Sequence, residues 1–495
     1  MSAKVYLIGA GPGDPELLTL KAKRVLETVD VILYDYLVHP NCLLLRKPES
    51  IIVCVGKSKG KHSQTQSEIH NLLLKYIKQG KTIARLKGGD PLIFGRGGEE
   101  MEFLSSHQVP YEIIPGISSG SAAPTYAGIP LTHRDLSRSV AFVTGTTLTG
   151  DSLEKKCLPK ADTLVFFMAV HALDEIAANL MVHDQFNANT PAALIENGTT
   201  AKQRVITGTL KNINDQKKKY NIKAPALFVV GQVVDLEKKL RWIHHLPLIN
   251  KRFLVLREKS QASELVFRLN SLGAEVCHTP LIRFQENTNE CNKLNKNLLK
   301  STNTILFTSS NAIRFFIKAL LKNNCDSRDL SAIKIAVVGK KTAETLKSFG
   351  LTADIIPEQF NAESLLNKLK QSITKNEHYL LPTTSKASPF LESELKLLGA
   401  KVSRLNIYHT VQEENISLNI EENDQIIFMS PSSVDVFFEH LAESLDQIKT
   451  NLTMFAIGKT TEKKLRYYFN GKIYTPDKEN MSELLLKIEE VNTSK

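Results

Sequence analysis

Nothing in this sequence of 495 residues offers a metal or disulfide framework: the six cysteines, Cys42, Cys54, Cys157, Cys277, Cys291 and Cys325, have no C-x-x-C spacing and no neighbouring histidine pattern. No metal ligands are assigned, and a reducing, cytoplasmic setting is expected. Long hydrophobic runs are missing as well. So is a basic segment followed by an apolar one at the N-terminus, where the chain enters Val5-Tyr6-Leu7-Ile8 at once. Neither a membrane span nor a secretory leader is expected. Acidic charge is in deficit: 63 Lys and Arg face 52 Asp and Glu, a net charge of +11. That excess suits an acidic partner. The basic residues are scattered, and the densest run, Lys217-Lys218-Lys219, falls in a loop-like stretch without interleaved aromatics. A polycarboxylate metabolite therefore fits better than nucleic acid.

The remaining composition, 42% hydrophobic and 23% charged, is that of a packed globular protein. The length exceeds one ordinary core, so three or four units are expected, and strand-like runs alternate with helix-like runs throughout, which predicts an α/β protein. The most informative stretch is Arg85-Leu-Lys-Gly-Gly-Asp-Pro-Leu-Ile-Phe-Gly-Arg-Gly-Gly-Glu-Glu100. Two glycine pairs bracket an Asp-Pro directly after a strand-like run, Thr82 to Leu86, and Gly98-Glu99-Glu100 reads as a helix start. Glycines let a ligand approach the backbone, and the Asp90 carboxylate can accept from a pair of ribose hydroxyls. Near the N-terminus the strand Val5–Ile8 runs into Gly9-Ala-Gly-Pro-Gly-Asp-Pro-Glu16, with Asp14 as N-cap, Pro15 as first residue and a helix from Leu17 to about Glu27. This is not a dinucleotide fingerprint: Asp14 stands where the last glycine of G-x-G-x-x-G belongs. A nucleoside without a pyrophosphate remains open. Gly116-Ile-Ser-Ser-Gly120 satisfies G-x-S-x-G, but Pro115 interrupts the strand that a nucleophile elbow needs, so a serine hydrolase is set aside.

These glycine stretches, with Tyr34-Asp35, Val55-Gly56-Lys57, Pro115-Gly116-Ile117-Ser118 and Ala127-Gly-Ile-Pro-Leu-Thr-His-Arg-Asp135, resemble uroporphyrinogen-III C-methyltransferase over roughly residues 3 to 240. The resemblance implies two α/β lobes, about 1–135 and 136–245, with S-adenosylmethionine between them. It assigns the donor to Pro12, Gly88, Gly89, Asp90, Ile93, Ser118, Ser119, Met168 and Gly198, proposes Asp35 as proton acceptor and Lys57 as proton donor, and implies a homodimer through this half. Ser118-Ser119 departs from the family's Thr-Ala at these positions. Lys57-Ser-Lys-Gly-Lys-His62 is a basic loop able to receive substrate carboxylates.

From Leu240 to Arg252 periodicity is lost and Pro247 occurs, which places a linker there, and a strand restarts at Phe253. The second half repeats itself. Ile305 to Phe316 parallels Ile426 to Phe437, and Ala336 to Thr342 parallels Phe455 to Thr461; each is a strand, a hydroxyl- and glycine-bearing turn, then a helix. Two such lobes favour a polyanionic ligand held by hydroxyls and helix N-termini. This half, 246–495, is similar to uroporphyrinogen-III synthase, with the chain crossing between lobes near 283 and 407. The resemblance gives Thr308, Ser309, Ser310, Asn311, Thr342, Ser430, Ser432 and Thr461 as substrate-binding residues and Tyr408 as the group assisting the leaving group. The loop Leu381 to Ser388 departs from that family. The chain is therefore expected to be bifunctional, cyclising hydroxymethylbilane to uroporphyrinogen III and methylating that product twice to precorrin-2, for sirohaem or cobalamin. Oxidation and iron insertion are expected elsewhere, since no third module with a dinucleotide fingerprint is present. The competing reading is a methyltransferase of another substrate joined to a two-lobed ligand sensor.

Overall fold

The structure, a computed structural model, describes residues 3–56, 65–145, 158–182, 185–359, 361–370, 373–374, 377–413, 420–441 and 452–493. Four five-stranded sheets carry the architecture, two in each half of the chain. The first holds β1 (Val5–Gly9), β2 (Val31–Tyr34), β3 (Ile51–Cys54), β4 (Ile83–Lys87) and β5 (Tyr111–Ile114), all parallel, in the order β3-β2-β4-β1-β5. The alternating directions of strand side chains explain why nearly every position is apolar. Leu7 packs on one face with Leu33, Leu73 and Leu104, and its neighbour Ile8 packs on the other with Leu26, Ile32 and Leu86.

The second sheet contains β6 (Val140–Thr144), β7 (Thr163–Phe167), β8 (Pro191–Glu196), β9 (Arg204–Thr209) and β10 (Ala226–Val230), ordered β6-β7-β10-β8-β9. Only β6 and β7 are parallel; β10 pairs antiparallel with β7 and β8, and β9 antiparallel with β8. The third sheet is all parallel: β11 (Arg252–Val255), β12 (Glu275–His278), β18 (Gln425–Phe428), β19 (Thr453–Ala456) and β20 (Lys472–Tyr474), with β12 at one edge beside β11. The fourth comprises β13 (Ile282–Glu286), β14 (Thr304–Phe307), β15 (Lys334–Val337), β16 (His378–Thr384) and β17 (Lys401–Gln412), with β13 the one antiparallel edge. By internal contacts the chain forms two compact units, residues 1–279 with 417–495, and residues 280–416. The α/β class and the pair of two-sheet modules are as expected. The internal repeat is also present, since β14-helix-β15-helix and β18-helix-β19-helix have the same parallel connectivity.

Three local expectations are corrected. The helix read as Leu17 to Glu27 is a short 3-10 turn, Pro15–Leu17, capped by Asp14, then a helix Leu20–Leu26 capped by Thr19, whose hydroxyl accepts the N–H of Ala22. Lys217 to Lys219 is not loop but the last turn of the helix Ile213–Lys219, where cations complement the exposed carbonyls. The aperiodic stretch 240–252 is no loose tether. Trp242 Nε1 donates to the Thr125 carbonyl (3.0 Å), its ring meets Tyr126 edge-on, and Leu248 is fully buried in the core of the third sheet. Among the described residues no helix is long and apolar enough to cross a membrane.

Candidate active site

The carboxyl ends of β1, β2, β4 and β5 converge on one cavity of about 800 Å³. Strands β1 and β4 are neighbours, and their following segments leave toward opposite sides of the strand order, the arrangement that opens a crevice in parallel sheets. Beyond the strand ends the two glycine segments bond to each other. Gly11 N–H donates to Gly89 O (3.2 Å) and Gly89 N–H to Gly11 O (2.7 Å), a short antiparallel bridge capping the parallel pair. At Gly88 an added Cβ would meet only the Leu37 Cβ, at 3.5 Å, and at Gly89 nothing within 3.8 Å. The backbone is therefore bare toward the cavity, which is the approach a flat ligand needs.

All nine residues expected at the donor, Pro12, Gly88, Gly89, Asp90, Ile93, Ser118, Ser119, Met168 and Gly198, line this cavity together with Asp35. They come from four loops of the first sheet's lobe and two of the second's. Met168 is not strand-end core: it has φ 55°, in the left-handed region, and is 54% exposed. Phe94 (φ 53°), Arg96 (φ 58°) and Asn197 (φ 49°) share that conformation and also line the cavity, so backbone strain is concentrated where a ligand would sit. Asp90 does more than face the cavity. Its Oδ1 accepts the N–H of Leu92 (2.8 Å) and its Oδ2 the N–H of Gly116 (3.0 Å), tying the loop after β4 to the loop after β5. Ser118 Oγ caps the helix Ser119–Tyr126 by accepting Gly120 N–H. Lys57 lies outside the described residues.

Sequence reasoning missed the charged floor of the site. Arg85 and Lys87, alternate residues of β4, point to one side and are 2% and 3% exposed, and both meet the wholly buried Glu100, Lys87 Nζ at 2.8 Å and Arg85 Nε at 3.2 Å. Arg85 Nη2 also donates to Asp35 Oδ1 at 2.6 Å. Burial pushes the Lys87 ammonium below its ordinary range, with Arg85 adding to the effect. Burial would raise the Glu100 carboxyl, but Arg85 and Lys87 outweigh it and hold it low. Among the described residues Glu100 Oε2 has no hydrogen-bond partner. The available signal was a cation at positions 85 and 87 of a strand otherwise buried on both faces, since such charges occur only where they are paired. This arrangement holds the Asp35 carboxylate in place at the cavity.

In the second half, the expected residues lie at corresponding points of two sheets. In the compact unit 280–416, Ser309 caps the helix Ser310–Lys322, and Ser310 Oγ receives the Thr345 hydroxyl (2.9 Å). Thr308 directly follows β14, and Asn311 is buried in the first turn of the same helix. In the other unit, Ser430 and Ser432 hydroxyls are 3.1 Å apart at the start of the helix Pro431–Leu441. Thr342 and Thr461 are 6% and 1% exposed inside their helices, so both pack locally. Tyr408 lies in the core of the unit 280–416, stacked on Phe315 (5.1 Å), edge-on to Phe284 (5.7 Å), with its hydroxyl 3.2 Å from Ser309 Oγ.

Comparison with known proteins divides along the same lines. Residues 4–214 match the tetrapyrrole (corrin/porphyrin) methylases, and residues 263–485 match uroporphyrinogen-III synthase HemD. The chain is 32% identical to the porphyrin biosynthesis protein HemD of Ruminiclostridium josui, covering 98% of both chains. Its first half is 47% identical to the sirohaem synthase of Pseudomonas aeruginosa over 49% of this chain and 52% of the other, so that match spans about half of the relative's length. The solved uroporphyrin-III C-methyltransferase of Thermus thermophilus is 40% identical over 47% of this chain and all of its own, with a TM-score of 0.42.

Proposed function

The chain belongs to the family of the porphyrin biosynthesis protein HemD, and on that premise we propose that it makes uroporphyrinogen III from hydroxymethylbilane with its second half and methylates it twice, to precorrin-2, with its first. S-adenosylmethionine is the donor, and when bound it supplies a methyl group on a sulfonium. The observation that carries the reading is the single cavity that gathers the nine donor residues and Asp35. Its about 800 Å³ suits a nucleoside-sized ligand beside part of a large ring.

The residues fit the donor. Gly88 and Gly89 leave the backbone open to an adenosine, the Asp90 oxygens retain lone pairs for ribose hydroxyls beyond the two amides they accept, and Pro12, Ile93 and Met168 supply apolar walls. Methylation of an electron-rich pyrrole carbon needs alignment more than covalent help; the attacked carbon already bears a side chain and has no hydrogen, so the cationic ring that results sheds a proton from a neighbouring N–H or bridging carbon. Asp35 takes that proton. Arg85 holds the carboxylate in place, and Glu100 holds Arg85. Lys57 is the proton donor, carried over from the family resemblance. The substrate's carboxylates account for the basic character of the chain.

In the second half the synthase resemblance supports roles in substrate binding for the Thr308, Ser309 and Ser310 hydroxyls with the Asn311 amide in one unit, and for the Ser430 and Ser432 hydroxyls in the other, each taken by itself, and for Tyr408 in assisting loss of the bilane's hydroxyl. The enzyme works in the cytoplasm, a reading supported by free thiols at all five described cysteines, and dimerises through its first half, a reading taken from the methyltransferase resemblance. A coupled assay tests the whole. Purified protein given hydroxymethylbilane should produce uroporphyrinogen III alone without the methyl donor, and a dimethylated product with it. Production of neither rejects the reading, and methylation without cyclisation returns the second half to the sensor alternative.

A further inference from the structure

We propose that Glu275, on the edge strand β12 of the second half, is a positioning residue for the methyl-donor site of the first half. The proposal rests on the donor reading above. It begins from the segment after β8, where Asn197, Gly198 and Thr200 line the donor cavity. This segment is strained: Asn197 has φ 49° and Thr199 φ 68°, a conformation that a β-branched residue rarely adopts. Such backbone persists only when its surroundings hold it from several sides. Asn197 N–H donates to Pro225 O (3.0 Å), Thr199 N–H to Gln203 Oε1 (2.7 Å), and Thr199 Oγ1 accepts the N–H of Asp14 (3.2 Å). Thr200 closes the turn on Asn197 O from its N–H (3.2 Å) and its hydroxyl (2.9 Å), Gln203 Nε2 donates to Tyr126 O (3.2 Å), and Lys202 pairs with Glu421. Among the described residues, the one main-chain amide of the segment held by the second half is that of Ala201. Ala201 N–H donates to Glu275 Oε2 at 2.7 Å, a charge-assisted bond to a main-chain amide.

Glu275 is itself fixed. Its Oε1 lies 3.3 Å from Arg252 Nε, and Arg252 is anchored to Asp424 at 2.6 Å. Against its burial, His39, the Ala201 amide and Arg252 hold the Glu275 carboxyl down at about 2, so it is ionised whenever the enzyme works. The strand carrying it cannot slide. The side chain of Asn41 pairs the free edge of β12 as a neighbouring strand would, donating from Nδ2 to Val276 O (2.7 Å) and accepting His278 N–H (2.9 Å) at Oδ1. Lys259 adds a bond from its Nζ to Leu44 O (2.6 Å).

His39, Glu275 and Cys277 have the residue types of a metal site, with ligand atoms within 4.8 Å of one another. The bonds around them say otherwise. Against its burial, Cys277 and Glu275 raise the His39 imidazole to about 9, so Nε2, the atom facing them (3.9 and 3.7 Å), carries a proton rather than a lone pair for a metal, and the guanidinium of Arg252 occupies the cationic position beside the carboxylate. The cluster is a hydrogen-bonded latch whose output is the Glu275 to Ala201 bond. Without that bond the donor loop spends less time in the competent shape, and apparent affinity falls by that fraction while the chemistry within the loaded site is unaltered.

The test uses the full-length protein. In Glu275→Ala the dissociation constant for S-adenosylmethionine by calorimetry, and the donor KM on supplied uroporphyrinogen III, should rise on the order of tenfold, the worth of one charge-assisted hydrogen bond. kcat at saturating donor and the cyclisation rate should hold. Glu275→Gln, whose carbonyl can still accept from Ala201, should recover most of the affinity. Glu275→Asp keeps its charge near Arg252 but withdraws it from Ala201, so it should lose affinity as Ala does, and it serves if the Ala variant fails to fold. Amide exchange over residues 197–203 in donor-free protein should accelerate in the Ala and Asp variants. Wild-type donor affinity and wild-type exchange in Glu275→Asp overturn the proposal. An equal loss in Lys259→Ala, which removes the bond to Leu44 and leaves β12, Glu275 and the loop untouched, also overturns it by making docking alone the cause. A wild-type protein that fails to bind the donor would instead reject the donor reading, while the exchange comparison still decides whether Glu275 clamps the loop.

Discussion

Asp90 accepts two main-chain amides as well as facing the donor cavity, so removing its carboxylate has two separable effects. In Asp90→Ala, donor affinity should fall by about 1.5–3 kcal/mol and folding stability by about 1 kcal/mol, with cyclisation intact. Calorimetry giving wild-type affinity in a destabilised variant would leave Asp90 a brace between two loops and nothing more. Glu100→Gln removes the buried charge that faces Arg85 and Lys87, and should cost about 3–5 kcal/mol of stability because two cations lose their buried partner. Denaturant unfolding showing a loss below about 1 kcal/mol would mean that Asp35 and solvent carry those charges instead. Tyr408→Phe keeps the ring contacts with Phe315 and Phe284 and loses only the bond to Ser309. Burial raises the Tyr408 phenol pKa, so it stays a proton donor at neutral pH. The expected result is slower cyclisation with a larger share of the type I isomer, and unchanged methylation of supplied uroporphyrinogen III. Chromatography showing wild-type rate and isomer purity would assign Tyr408 to packing.

The elements that place the donor site meet at three backbones, the ends of β1, β4 and β5. A Cβ on Gly116 would stand 2.3 Å from Gly89 O and 2.6 Å from Gly9 Cα, contacts with rigid main chain that no side-chain shift relieves. Gly116→Ala should therefore push apart the loops that hold Gly88, Gly89 and Asp90, and abolish donor binding while the synthase half still cyclises. Undiminished donor affinity would show that these loops are more pliant than their bonding implies. The strands themselves were legible because apolar runs such as Tyr111 to Ile114 and Ala226 to Val230 are bounded by glycine or proline. Short aperiodic elements were not. The turn at Pro15–Leu17, the final turn bearing Lys217 to Lys219, and the packed segment around Trp242 and Leu248 each depend on one cap or one buried side chain, which leaves no period to read.

For the molecule as a whole, the separate family matches of residues 4–214 and 263–485 predict that fragments 1–245 and 246–495, the second keeping Leu248 in its core, each fold and retain one activity. Because Glu275 lies in the second fragment, the first should methylate with a donor KM raised as in Glu275→Ala. Insoluble or inactive fragments would count against the division, and a wild-type KM in the first would count against the role of Glu275. The sequence by itself determined the α/β class and the internal repeat of the second half, because apolar runs between glycines and prolines and hydroxyl-bearing turns are local patterns tied to local backbone shapes; the donor residues came from the family resemblance. Only the tertiary structure decided what Asp90 holds, which buried charges support Asp35, and that Tyr408 sits in a core. It alone also brings Glu275 to a loop 74 residues earlier in the chain. Partners so distant are chosen by how sheets and loops pack, and one-dimensional spacing carries no record of that choice.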